Sequence, residues 1–250
     1  MEAALTAKAE RDAALLSATF PGAALRRFGG TVATRHPALP DLASFNRARG
    51  FSLHDRGRLD EIRAFYAEAG VSAALEIWEA DEGDELRRLL AGAGLAPGAR
   101  SLALHVSPRP AGAAGVPGVD VVEVGEGEDG AYLGVLLQGY GVAPKQEALR
   151  RTFALEHATP GLRRYLALID GEPAAAGGLL LIGGTGLLAG AATVPRFRGR
   201  GGQTALLRRR IADAAGRCEV LGVTAAVDSA SHRNLVREGF AAAHLRTIWR

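Results

Sequence analysis

Residues 193–211, TVPRFRGRGGQTALLRRRI, gather the groups best suited to hold an anion. An apolar, strand-like run ends at Val194. A turn carrying Arg196, Arg198 and Arg200 with Gly199, Gly201 and Gly202 follows, and a helical apolar pattern begins at Gln203. The first turn of a helix leaves backbone N–H groups without partners and carries a partial positive charge. Glycines ahead of it let the backbone take positive φ and come close to a ligand. Phosphate is the natural ligand of such a terminus, and rim arginines add charge-assisted hydrogen bonds.

Other chemistries find less in the chain. No Gly-Lys-Ser/Thr occurs, so there is no P-loop, and no G-x-G-x-x-G opens a βαβ unit. "RGRGG" has the composition of an Arg/Gly nucleic-acid segment, but it occurs once, between an apolar strand and an amphipathic helix. The six histidines show no paired metal spacing, so no metal is expected. Arg208, Arg209 and Arg210 read as a solvated helix face, and Trp78 and Trp249 as core or interface residues. Glu123, Glu156 and His157 are the acid–base candidates, each also readable as a surface or structural residue.

These groups sit in a chain of 250 residues with 48% apolar content, which is globular in character. The net charge of +3 is too small to imply nucleic acid by itself. Cys218 is the only cysteine, which excludes an intrachain disulfide and fits a reducing, cytoplasmic setting. The acidic N-terminus does not read as a signal peptide, and no apolar run is long enough for a membrane span. "SPRPAGAAGVPGVD" lacks periodicity and reads as a linker. The expected domains are therefore 1–112 and 119–250, joined by 113–118.

Upstream of the linker, "GRLDEIRAFYAEAG" has helical spacing, "VSAALEIWE" reads as a strand, "GDELRRLLAGAG" as a helix and "SLALHV" as a strand. Downstream, "VDVVEV" is a strand and residues 131–157 are helical with a break at "GYGVAP". "RRYLALIDGEPAAAGGLLLI" is a hairpin turned at Asp170-Gly171, and "GTGLLAGAATV" is the next strand. "EVLGVTAAV", "SHRNLVREG" and "FAAAHLRTIW" close the chain as strand, helix and strand. Residues 69–95 and 218–240 share one pattern of strand, acidic turn, short helix and Gly followed by an apolar residue, which reads as an internal repeat.

Arg196-Phe197-Arg198-Gly199-Arg200-Gly201 fits the R/Q-x-x-G-x-G/A signature of the GNAT superfamily of acyl-CoA N-acyltransferases, and the chain resembles that family over about 119–250. "DSASHRNLVREGF" is similar to a later motif of the family, with Ser231, Asn234 and Gly239-Phe240 at matching spacing. The resemblance implies an α/β fold, a mixed and mostly antiparallel sheet flanked by helices. The N-terminal half would be a second, smaller, degenerate copy that has no signature loop. It also implies acetyl-CoA as co-substrate, transferred to an amine. The backbone of Ala192, Thr193 and Val194 would hold the pantetheine arm, and the amides of Arg198, Gly199, Arg200, Gly201, Gly202 and Gln203 the pyrophosphate. Asn234 would contact the pantetheine.

The chain departs from the pattern in its catalytic groups. The position where many members carry a tyrosine acid is Leu235, and the strand before the loop has no acidic residue, so no catalytic residue is assigned. Ser231 reads as the cap of the 232–238 helix. A small-molecule amine, with no nucleic acid or membrane partner, and a monomer or homodimer are expected. A CoA-binding protein without catalysis, and a nucleic-acid binder using the Arg/Gly segment, remain the alternatives. Phe45 and Asn46 in "HPALPDLASFNRARGF" read as a possible wall of the acceptor pocket, where the N-terminal half would cover the C-terminal sheet.

Overall fold

The structure is a computed structural model describing residues 1–110, 115–125 and 129–250. The chain forms two compact units that do not coincide with its sequence halves. The first holds Met1–Lys8, Leu104–Val223 and Ala230–Ala241, and the second holds Ala9–Ala103, Thr224–Ser229 and Ala242–Arg250. This division differs from the expected 1–112 and 119–250 chiefly in the destination of the last strand. Residues 113 and 114 of the expected linker lie outside the described residues.

In the second unit, β1 (Ala24–Phe28) and β2 (Thr31–Arg35) form a hairpin, and β3 (Arg47–Arg49) pairs antiparallel with β2. Helix α2 (Leu59–Ala67) carries the chain to β4 (Leu75–Trp78), which runs parallel to β3. As the spacing predicts, Leu59, Ile62, Phe65 and Tyr66 of α2 are buried. They pack with Phe28, Leu75, Ile77, Leu86 and Leu90 in one core. Helix α3 (Asp84–Gly92) leads to β5 (Pro97–Val106). The final strand, β11 (Ala241–Trp249), pairs antiparallel with β4, and Arg250 and Ala96 exchange both backbone hydrogen bonds. Ten residues remain after Phe240, enough for one strand, and strands of the N-terminal sequence supply its partners on both sides.

An ion cluster pins that strand. Glu76 on β4 is fully buried and accepts from Arg47 at 2.8 Å and Arg246 of β11 at 3.3 Å. Burial alone would raise its carboxyl, but Arg47, Arg49 and Arg246 together hold it below the usual carboxylate range. A buried charge is tolerable only when paired in this way.

In the first unit, β6 (Val119–Glu123), β7 (Leu162–Ile169), β8 (Glu172–Ile182) and β9 (Thr185–Thr193) form an antiparallel meander. The β7–β8 turn falls at Asp170 and Gly171, whose φ values of 53° and 77° fit a tight hairpin turn. Helices α4 (Asp129–Gly139) and α5 (Glu147–His157) precede β7, while α6 (Gly202–Ala214) follows β9. The small residues of β8 admit helices on both faces. Ala174 and Ala176 lie in the core with Tyr132, Val135 and Leu136 of α4. A Cβ on Gly202 of α6 would lie 3.1 Å from the Ala175 Cβ. Strand β10 (Val220–Ala226) begins in this unit, parallel to β9, and α7 (Ala230–Arg237) follows it.

The expected repeat has a structural counterpart at two helix ends. After α7, Phe240 N–H donates to Leu235 and Gly239 N–H to Val236, with Gly239 at φ 92°. After α3, Leu95 N–H donates to Leu90 and Gly94 N–H to Ala91, with Gly94 at φ 78°. Both are Schellman endings, in which a left-handed glycine satisfies the last carbonyls and the next residue turns inward. Ser231 lies inside α7, not at its cap. Among the described residues no helix is long and apolar enough to cross a membrane.

Glu76→Ala should lower the unfolding free energy by about 3 kcal/mol, since it strands buried guanidinium groups. Urea denaturation followed by circular dichroism measures this, and a change within error would mean that the cluster does not pin β11.

Candidate functional site

Strand β9 parts from its parallel neighbour, β10, before either strand ends. The β9–β10 ladder pairs Thr185–Leu187 with Val220–Gly222, while β9 continues to Thr193. Along its other edge β9 is paired with β8, but with one irregularity. Ala176 faces Ala192 and Gly178 faces Ala189, so Gly190 and Ala191 together oppose Gly177. This is a β-bulge, which re-aims backbone groups out of the ladder.

The bulge has an identifiable support. Gly190 has φ 45°, and a Cβ there would lie 2.0 Å from His157 Cε1. The imidazole therefore occupies the space a side chain would need. His157 is buried, and its Nδ1 is 2.9 Å from the hydroxyl of fully buried Tyr132. Its ring also lies parallel to Phe153 at 6.1 Å. Burial, with smaller contributions from Lys8 and Arg164, depresses His157 to about 3, so it is neutral at ordinary pH. It shapes the strand, and only 7% of it is exposed. The amide of Ala191, an exposed residue, donates to the hydroxyl of Tyr140 at 3.1 Å.

At the end of β9 the chain makes a short 3-10 turn, Pro195–Phe197, and enters the glycine loop. Gly199 and Gly201 have φ 78° and 84°, as expected of glycines that bend a backbone toward a ligand. The amide of Arg198 is consumed by the carbonyl of Pro195 at 3.3 Å, which removes it from the expected anion-binding set. Among the described residues no hydrogen-bond acceptor meets the amides of Gly199, Arg200, Gly201, Gly202, Gln203 and Thr204. No side chain caps α6. Those donors open the cradle that an anion requires.

The rim arginines differ in their partners. Arg196 pairs with Glu172, and Arg200 with Asp170 at 2.9 Å. Among the described residues Arg198 meets only the carbonyl of Gly139, at 3.2 Å. The side chain of Gln203 turns back onto the strand and donates to Ala192 O at 2.8 Å and Thr193 Oγ1 at 3.2 Å. It thus ties two of the three positions expected to hold the arm, Ala192 and Thr193, to the helix start, while the amide of the third, Val194, donates to Ala174 O at 2.9 Å. Gly139 of α4 closes on the same segment: a Cβ there would lie 2.6 Å from Ala192 Cβ.

The remaining sequence candidates fall elsewhere or take other roles. Asn234 is half-buried on α7, with its Oδ1 accepting from Arg237. Leu235 is buried in the core. Glu123 is held by both ends of Arg163, at 2.7 Å each, and this hydrogen bonding keeps its carboxyl below the usual range, the wrong direction for a base. Asn46 is buried and hydrogen-bonded to Leu39, Leu42 and His36, so it braces a loop in place of lining a pocket. Phe45 packs edge-on against His36 at 5.9 Å.

Arg208 pairs with Glu238 and Arg209 with Asp213, whereas Arg210, expected on a solvated face, is 1% exposed. Its guanidinium lies over Gly177, where a Cβ would come within 2.7 Å of it, and it donates to Gly178 O. Trp249 is buried in the core of the second unit, and Trp78 packs against His244 at 5.2 Å. Among the described residues no group of three or more metal-ligating side chains converges. Sequence reasoning passed over Tyr140, which sits in "GYGVAP", a stretch legible only as a helix break.

No family model matches the chain, and no curated protein matches it. Solved structures do match. A GCN5-related N-acetyltransferase from Kribbella flavida superposes with a TM-score of 0.68 at 18% identity, over 96% of this chain and 93% of that one. The GCN5-related N-acetyltransferase from Sphaerobacter thermophilus gives 0.65 at 15% identity, over 88% and 76%. A tandem GNAT protein from the clavulanic acid biosynthesis pathway gives 0.62 at 14% identity, over 92% and 83%. The chain has the GNAT fold, as the signature loop implied. One of these neighbours is a tandem protein, and the likeness to it spans most of both chains.

Two expectations follow from the bulge. Gly190→Ala should destabilise the protein by about 2 kcal/mol, because the new Cβ meets an imidazole at a positive φ. Thermal or urea unfolding checks this, and unchanged stability would show that the ring moves aside freely. His157 should also make stability depend on pH. Its folded value near 3 lies below the ordinary 6.5, so between these limits only the unfolded chain binds the proton. The stability difference between wild type and His157→Gln should therefore shrink as pH falls from 6.5 toward 3, by up to about 1.4 kcal/mol per pH unit. A difference constant with pH would contradict a buried neutral imidazole.

Proposed function

We propose that the chain is an N-acetyltransferase that moves an acetyl group from acetyl-CoA to the amine of a small molecule. One observation carries this reading. Strand β9 parts from β10 after Leu187, bulges at Gly190–Ala191 with the Ala191 amide turned onto the Tyr140 hydroxyl, and runs directly into the unpartnered amides of Gly199–Thr204. A pyrophosphate suits those loop donors, and in this reading the pantetheine arm runs back from them along β9 toward the bulge. Arg198, with no carboxylate partner among the described residues, adds a cation at the phosphate end.

The chemistry asked of the site is modest. An amine nitrogen attacks the thioester carbonyl, a hydrogen-bond donor stabilises the developing oxyanion, and the sulfur leaves. No acidic run in the sequence offers a groove for a basic peptide, which favours a small acceptor. A CoA-binding role without catalysis is the second reading, favoured by Leu235 lying buried and Glu123 locked to Arg163. Nucleic-acid binding is disfavoured because Glu172 and Asp170 neutralise Arg196 and Arg200.

Calorimetry with acetyl-CoA, followed by thiol release across a panel of small amines, separates these readings. Binding with turnover upholds the transferase. Binding without turnover by any amine leaves the non-catalytic role, and salt-sensitive nucleic-acid binding without a CoA effect rejects both. Arg198→Glu should weaken acetyl-CoA affinity about tenfold or more, as expected for loss of a charged hydrogen bond, with an unchanged melting temperature. Unaltered affinity would reject the placement of the phosphates. Arg198 is a cleaner probe than Gly201, where a Cβ would collide with Val116 at 2.6 Å at a φ of 84°.

A further inference from the structure

Tyr140 follows the last residue of α4 and is 48% exposed. Such a side chain would ordinarily be mobile, but this one is held at two points. Its ring packs on Phe153 at 5.3 Å, which itself lies parallel to His157, and its hydroxyl oxygen accepts the Ala191 amide. The hydroxyl has used one lone pair. Among the described residues its own O–H has no acceptor, so its proton is available to whatever lies against the bulge.

The surroundings suit a proton donor. Packing around the hydroxyl raises its pKa, so it is protonated at neutral pH. Three groups then act on the anion left when the proton departs. The Ala191 amide stabilises it directly, Arg210 beneath β8 favours it, and Glu156 on α5 opposes it. Arg210 has carbonyl partners only, Leu206 and Gly178, so no carboxylate among the described residues cancels its charge at close range.

We propose that Tyr140 is the group that protonates the sulfur leaving the thioester. The inference rests on the acetyltransferase reading and deepens it. The amine lone pair forms the C–N bond, the C–S bond breaks with its electron pair going to sulfur, and the sulfur takes the Tyr140 proton. The surplus proton on the new amide nitrogen returns to the tyrosinate through water. The sum is an amide and a free thiol, with the tyrosine restored.

CoA itself is the probe. The thiol of bound CoA is titrated by its thiolate absorbance in wild type and in Tyr140→Phe, which keeps the ring contacts. A donor at the sulfur stabilises the thiolate, so the wild-type complex should ionise with a constant about tenfold larger, one pH unit lower, than the variant complex. Affinity for CoA at pH 6, where the thiol is neutral, should agree within about threefold. Equal ionisation in two proteins that bind CoA equally overturns the proposal and leaves the acetyltransferase reading standing. Loss of CoA affinity in the variant alone makes the hydroxyl a binding group and also overturns it. Failure of wild type to bind CoA overturns both. Turnover of acetyl-CoA with the amine panel gives a second readout. Tyr140→Phe should lose about 100-fold in kcat with little change in KM, and an unchanged kcat overturns the assignment.

Discussion

An imidazole and a Cβ cannot share one space, and on β9 that space belongs to His157. The strand meets the ring at Gly190, adopts a φ of 45°, and takes up an extra residue against β8. The next amide, on Ala191, is thereby turned out of the ladder toward Tyr140. The imidazole is fixed in turn by Tyr132 from α4 and by Phe153 one turn earlier on α5. A buried neutral histidine thus shapes the backbone at the bulge. Neither Gly190 nor His157 need touch the ligand for the site to depend on both.

Charge is distributed along the same strand with comparable economy. Two of the three loop arginines are neutralised by carboxylates of the β7–β8 hairpin, whereas Arg198 meets no carboxylate among the described residues. The uncapped helix start adds donors without adding a side chain. At the other end, Arg210 lies beneath Gly177, a position where any side chain would displace it. Glycine therefore does three jobs around β8 and β9. It bends the loop, admits the imidazole, and admits the guanidinium.

The second unit follows a different logic. Its sheet is completed by the last nine residues of the strand-forming chain, held between β4 and β5. Arg246 reaches the buried Glu76, so the C-terminal strand cannot leave without stranding a buried carboxylate. The two Schellman endings, at Gly94 and Gly239, give the two strand–helix–strand segments the same inward turn. That is the physical content of the sequence repeat.

The sequence by itself determined whatever depends on neighbours along the chain. The apolar spacing of α2, the Asp170-Gly171 turn, the glycine loop and its helix are all local patterns, and all formed where the residues indicated. The loop of unpartnered amides was legible because a helix terminus and its glycines are contiguous. Helix α1 (Glu2–Thr19) and strands β1 to β3 were not legible, since their apolar residues show too little periodicity to mark an element. Tertiary structure alone decided the rest. It chose which arginines find carboxylates, buried Arg210 where periodicity put it in water, and sent the last strand to β4. It also placed His157 against Gly190 and Tyr140 on Ala191, pairs separated by 33 and 51 positions in the sequence. Such contacts leave no periodic trace, because each is a match of shape between two surfaces that meet only after the strands have paired.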